Sequence, residues 1–148
     1  MVLEGLKNSG MSDETQVIFM SENGPPFINS KTTLYDAGVC LPLLIKCPGT
    51  EPGVINSNII SHVDILPTLL DWAKHPRPEH LSLTGRSLLP NLCESRQLDA
   101  WDRVFSSHTF HEIANYWPTR FMRNHRFKYQ CNIAWRLDSP WPLASPAL

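Results

Sequence analysis

Hard oxygen donors stand together at Glu22-Asn23, where a carboxylate and an amide carbonyl follow directly on an apolar run. Such a pair suits calcium or magnesium, but calcium takes about six to eight oxygens. No acidic cluster elsewhere completes a shell, and a plain turn is the competing reading of the pair. The densest group of titratable side chains is His108-Thr109-Phe110-His111-Glu112. Its two histidines miss the i, i+4 spacing of a helical metal pair. On an extended backbone they face opposite sides, so at most one of them faces a site. Residues 103–137 gather Arg103, Arg120, Arg123, Arg126, Lys128 and Arg136 against the single acid Glu112. That local basic field is either a solvated face or a wall that recognises oxyanions, with guanidinium forks pairing to their oxygens. Cys40, Cys47, Cys93 and Cys131 show neither C-x-x-C spacing nor the density of a disulfide scaffold, so buried free thiols are expected rather than zinc or cross-links.

The elements that must position these groups are short. Residues 1–10 place Val2, Leu3 and Leu6 on one helical face and end at Gly10, which suits a left-handed C-cap. Gln16-Val17-Ile18-Phe19-Met20-Ser21 is apolar without alternation, the pattern of a strand covered on both faces in a parallel sheet. Gly24-Pro25-Pro26 then turns the chain out and leaves Glu22 and Asn23 at the strand's carboxyl end, where ligands of α/β sheets sit. Residues 41–46 read as a second strand, with Pro42 at its first residue or on an edge. Residues 61–73 read as a helix capped by Ser61 or Asp64, with Leu66, Leu69, Leu70 and Ala73 facing the core. A short helix is expected after Arg86, and short strands around 104–105, 119–122 and 127–131 suggest an antiparallel meander.

Composition narrows the classes. Across 148 residues, Lys+Arg 13 against Asp+Glu 14 gives a net charge of −1, with no global pull toward nucleic acid or an anionic membrane. No apolar run approaches the roughly 18 to 20 residues that cross a bilayer, and the first residues lack the apolar core of a signal peptide, so the chain reads as soluble. Thirteen prolines, about twice the usual share, make long regular elements unlikely after residue 24 and punctuated loops the rule.

Read together, these stretches resemble the sulfatase family of the alkaline phosphatase-like superfamily. Val17-Ile18-Phe19-Met20-Ser21-Glu22-Asn23-Gly24 is similar to the family's strand ending in S-D-N-G. Lys31-Thr32-Thr33-Leu34-Tyr35-Asp36-Ala37-Gly38 resembles its K-x-x-x-Y-E-G-G loop, and Pro42-Leu43-Leu44-Ile45 its following strand. Residues 61–70 resemble its V-x-x-x-D-x-x-P-T-L-L helix and residues 83–90 its L-x-G-x-S-L-x-P element. In the tail, Val104-Phe105-Ser106, His111-Glu112, Pro118-x-Arg120 and Arg126-Phe127-Lys128 are similar to the sulfamidase-like members.

The resemblance implies an α/β, partial alkaline phosphatase-like fold. Residues 1–100 would form the C-terminal part of the catalytic domain, the end of a large mostly parallel sheet. Residues 101–148 would open a small antiparallel subdomain. It also implies calcium held by Glu22 and Asn23, Lys31 and His111 at the sulfate or substrate, and a sulfated saccharide as the ligand of the complete enzyme. Neither nucleic acid nor a membrane span is implied, a homo-oligomer stays open, and complete relatives are lysosomal, periplasmic or secreted. Glu22 departs from the family's Asp by one methylene, and Cys40 stands where many members have Arg. The formylglycine motif C-x-(P/A)-S-R is absent: Cys40 is followed by Leu41-Pro42-Leu43-Leu44, and the other cysteines fail as well. The isolated chain is therefore expected to be inactive, a fragment of a sulfatase. The alternative is a pseudoenzyme or a non-catalytic module that binds sulfated glycans.

Overall fold

The computed structural model describes residues 2–93, 98–111 and 115–133. They divide into two compact units, one made of Met1–Met20 with Leu43–Asp99, the other of Ser21–Pro42 with Ala100–Leu148. Among the described residues no helix is long and apolar enough to cross a membrane.

The first unit opens with helix α1 (Val2–Asn8), closed by Gly10 in the left-handed region at φ 75° as the sequence predicts. Strand β1 (Val17–Met20) then pairs with strand β2 (Leu43–Lys46), and Pro42 stands just ahead of the second strand. The pairing is antiparallel, with Ile18 opposite Ile45 and Phe19 opposite Leu44, which corrects the expectation of parallel pairing here. An apolar run without alternation reports burial but carries no strand direction; direction is set by how the intervening chain returns. The expected burial is corrected too, because Phe19 and Leu44 share a face and remain 64% and 60% exposed.

Residues 61–73 form a 3-10 turn, His62–Asp64, running into helix α3, here preceded by the short helix α2 (Asp36–Val39) of the second unit. Helix α3 spans Ile65–Trp72, and its buried residues are Pro67 and Thr68, not the leucine stripe that hydrophobicity suggested. Leu66 and Leu69 are exposed, and Asp64 and Thr68 are buried in their place. The reason is polar. Asp64 accepts from Ser61 N–H at 2.8 Å through Oδ2 and from Arg86 N–H at 2.9 Å through Oδ1. One turn on, Thr68 Oγ1 donates to Asp64 O at 2.6 Å and accepts from Leu88 N–H at 2.8 Å. Backbone N–H groups drawn away from water need acceptors, and these two side chains supply them for the part-buried residues 61 and 86 and for buried Leu88. Gly85 completes the junction, since a Cβ there would stand 2.0 Å from Val63 O. The segment then enters helix α4 (Leu89–Cys93), with Leu88 only 2% exposed.

The second unit holds an antiparallel meander of β3 (Arg103–His111), β4 (Asn115–Asn124) and β5 (Lys128–Asn132), in that order. The strands are longer than the sequence suggested. Between His108 and Phe110 the register shifts, so that Trp117 and Pro118 oppose the single residue Thr109. A bulge is where a proline, lacking an N–H, is tolerated.

Removing the Asp64 carboxyl group leaves part-buried N–H groups of two segments without their acceptor, each worth roughly 1–2 kcal/mol. Urea denaturation should therefore show Asp64→Ala destabilised by about 2–4 kcal/mol, with Asp64→Asn, which keeps one acceptor, less affected. Gly85→Ala should cost about 1–3 kcal/mol through the clash with the Val63 carbonyl.

Candidate functional site

The strand pair is prolonged beyond β1 by Ser21 N–H donating to Pro42 O at 3.3 Å. Glu22 and Asn23 follow. Ser21 Oγ donates to Asn23 O at 2.8 Å, and Asn23 Nδ2 donates to Glu22 Oε1 at 2.9 Å. With its nitrogen so engaged, the amide's Oδ1 is the atom suited to a cation, and Glu22 is exposed. The donor chemistry fits calcium in kind, two hard oxygens on adjacent residues, but supplies only part of a shell of about six to eight. Among the described residues no group of three or more His, Cys, Asp or Glu side chains could hold a metal.

Residues 24–38 fold back on themselves as a compact knot. Pro25 O accepts from Phe27 N–H at 2.7 Å and from Lys31 N–H at 3.1 Å, which brings the Lys31 backbone back beside Pro25, two residues past Asn23. Ser30, 2% exposed, donates its Oγ to Ala37 O at 2.9 Å. Ser30 O accepts from Thr33 N–H at 3.1 Å and from Thr33 Oγ1 at 2.9 Å. The approach is too close for side chains at two glycines: a Cβ on Gly24 would meet Ala37 O at 2.2 Å, and one on Gly38 would meet Ser30 O at 2.4 Å. This explains why the Asp36-Ala37-Gly38 motif needs its glycine.

Lys31 itself is exposed, on a backbone flanked by two residues at positive φ, Asn29 at 60° and Thr32 at 71°. Asparagine tolerates the left-handed region, whereas a β-branched residue there is an outlier. Such strain persists only where the surroundings over-determine it, and it concentrates at functional loops.

The Asp36 carboxylate ties the knot to the meander. Arg123 Nη1 on β4 donates to Asp36 Oδ1 at 2.6 Å and Lys128 Nζ on β5 at 2.9 Å. Lys128 Nζ also donates to Leu34 O and stands 4.7 Å from the centre of the Phe121 ring. The hydrogen bonds from Arg123 and Lys128 hold the Asp36 carboxyl below the usual carboxylate range. Nothing in the sequence pattern singled out Asp36 for this; the basic residues of the tail were the only signal, and two of them are its partners.

The meander places His108 beside Val104 and Ser106 on one face, with Thr119, Phe121, Arg123 and Lys128 opposite on the neighbouring strands. That is the face whose cations reach Asp36. His111 ends β3, paired with Asn115 through the backbone. Its side chain, like Glu112 and Arg136, lies outside the described residues. The other face carries Phe105, Met122 and Tyr129 in register, with Arg120 and Cys131 alongside. They line an open concavity of about 590 Å³. Of the cysteines, Cys47 is buried while Cys40 and Cys131 are exposed free thiols, a correction to the expectation of burial.

The left-handed strain at Thr32 costs about 1–2 kcal/mol for a residue with a Cβ, part of which glycine's greater unfolded-state entropy offsets. Chemical denaturation should show Thr32→Gly stabilised by up to about 1 kcal/mol, with Thr33→Gly destabilised because it loses the hydroxyl bond to Ser30.

Comparison with known proteins bears directly on this arrangement. Residues 1–75 match the sulfatase family model. The chain is 36% identical over 149 residues to human N-sulphoglucosamine sulphohydrolase, covering 95% of this chain and 29% of that protein. It is 37% identical over 97 residues to bovine arylsulfatase K, covering 63% of this chain and 18% of the relative. One solved structure, a protein in complex with its substrate D-glucosamine-2-N,6-O-disulfate, superposes with a TM-score of 0.77 at 24% identity, covering 87% of this chain and 27% of that one. A phosphonate monoester hydrolase from Silicibacter pomeroyi gives a TM-score of 0.74 at 25% identity, over 88% of this chain and 29% of that one. The alkaline phosphatase-like α/β fold is thus shared along most of the chain, which spans less than a third of the length of each of these proteins. The family match, the identity along the chain and the shared fold agree: the chain belongs to the sulfatase family.

Proposed function

We propose that this chain is part of a sulfatase that hydrolyses sulfate ester or N-sulfate groups of a sulfated saccharide, and that it contributes Lys31 as a sulfate contact. The observation that carries this reading is the Lys31 knot, which presents an exposed ammonium on a constrained backbone whose Lys31 amide is bonded to Pro25 O, two residues past the oxygen donors Glu22 and Asn23. The family match over residues 1–75 covers all three residues and supports the assignment. The human N-sulphoglucosamine sulphohydrolase and the glucosamine disulfate complex support a sulfated amino sugar as the substrate class.

In this reading the Lys31 ammonium pairs with sulfuryl oxygens and offsets the negative charge that builds on them as the bond to the leaving group breaks. A preorganised cation acts there without reorganising at the moment of reaction. The strain at Thr32 and the bonds of Ser30 keep the loop from relaxing around the bound group. Glu22 and Asn23 Oδ1 would hold part of a calcium shell. That ion, when bound, supplies Lewis-acid polarisation of the sulfate. His111 is proposed at the substrate side, where an imidazole could protonate a leaving amine or hydroxyl. The nucleophile is not proposed within this chain, because no cysteine here stands in the formylglycine context.

Two measurements test the reading. The 148-residue chain, incubated with calcium and either an aryl sulfate or an N-sulfated glucosamine, should turn over neither above background. In a complete sulfatase carrying residues 1–133 of this chain as its corresponding segment, Lys31→Ala should lower kcat/KM for the sulfated substrate by about 100-fold or more. An aryl phosphonate run in parallel separates sulfate specificity from the chemistry of the wider fold. A Lys31→Ala enzyme as active as its parent would remove Lys31 from the sulfate site.

A further inference from the structure

We propose that Asp36 is a positioning residue for Lys31: by bridging Arg123 of β4 and Lys128 of β5 it seats the 24–38 knot on the meander and so sets where the Lys31 ammonium stands. The inference rests on the reading of Lys31 as a sulfate contact for its functional consequence, though not for its geometry.

Three observations support it. The carboxylate is shared by cations 87 and 92 residues away in sequence, at 2.6 and 2.9 Å, so the knot's place depends on strands formed by a distant part of the chain. Lys128 grips the same segment twice, through Asp36 and through the Leu34 carbonyl, with Leu34 itself buried. The knot is also stiff enough to transmit the anchor. Ser30 Oγ is bonded to Ala37 O, the residue after Asp36, and the room at Gly38 is filled by the Ser30 and Thr33 carbonyls. A shift of residues 36–38 therefore displaces Ser30 and Thr33, the residues that frame Lys31 and the strained Thr32. An ordinary surface ion pair contributes little to stability and positions nothing; this one joins a strained loop to a packed sheet.

Asp36 faces Arg123 and Lys128, and both favour its ionised form. With its folded-state pKa depressed, the anchor is fully present above the ordinary aspartate value of about 3.9 and is lost as pH falls through the lower folded value. The Lys31 and Thr33 amides, each hydrogen-bonded within the knot, report on it.

The test is residue-resolved hydrogen exchange on the 148-residue chain, corrected for intrinsic rates, together with titration of inorganic sulfate followed at Lys31. Asp36→Asn should speed exchange at Lys31 and Thr33 about tenfold, leave Ile18 and Ile45 of the β1–β2 pair unchanged, and weaken sulfate binding about fivefold. Asp36→Glu, the residue in the family's K-x-x-x-Y-E-G-G pattern, should restore both. The parent chain should lose this protection at acidic pH, whereas Asp36→Asn should show no such step. Arg123→Gln, which removes one arm, should give an intermediate effect and serves if Asp36→Asn exposes the β1–β2 amides as well. Unchanged loop protection and sulfate affinity in both Asp36→Asn and Arg123→Gln would overturn the proposal. If the loop loosens as expected but Lys31→Ala leaves sulfate binding intact, the anchor stands and the sulfate role of Lys31 falls.

Discussion

The first unit depends on the Asp64 carboxyl group. A helix start and an incoming loop both bring backbone N–H groups against the buried Asp64 side chain, where an N–H left without an acceptor costs free energy. Asp64 serves one N–H with each oxygen, and Thr68 relays a third bond from Leu88 back to the Asp64 carbonyl. Pro67 fits between them because the first turn of a helix has no use for its missing N–H. Gly85 is there because Val63 O leaves no room for a side chain. Four residues that look like scattered family motifs thus form one structural joint. Asp64 is a carboxylate of the fold rather than of the chemistry.

The second unit uses the same physics in a more exposed setting. Its knot is built from backbone carbonyls pointed inward at Ser30, Ala37 and Thr33, with glycines where carbonyls crowd. Stiffness gained in this way holds Thr32, the residue after Lys31, at an unfavoured backbone geometry. The residues of the knot are contiguous in sequence, but the unit they belong to is completed by residues beyond 100.

Residues proposed for the chemistry and residues that hold the fold are interleaved within the stretch matched to the sulfatase family. Glu22, Asn23 and Lys31 lie within the stretch the family model matches, and so do Asp64 and Thr68. Only the geometry separates them, since Asp64 and Thr68 are 5% and 0% exposed with their polar atoms engaged by backbone. Glu22 and Lys31 are exposed.

Local order was legible in the sequence. Gly10 as a C-cap, Pro42 at a strand start, the 61–73 helix with Ser61 or Asp64 as its N-cap, and the three-stranded meander all follow from periodicity, from capping preference and from what glycine and proline do to a backbone. The adjacency of Glu22 and Asn23 at the end of β1 needed nothing more than chain order. Three-dimensional arrangement was not legible. The run from Val17 to Met20 specifies a strand without specifying its partner's direction, and the leucines of α3 advertise a buried face that Asp64, Pro67 and Thr68 occupy instead. Hydrophobicity counts apolar side chains and is blind to buried N–H groups awaiting an acceptor. The bridge from Asp36 to Arg123 and Lys128 was beyond any local pattern, because an ion pair spanning 87 and 92 residues exists only once a strand register has brought its members together.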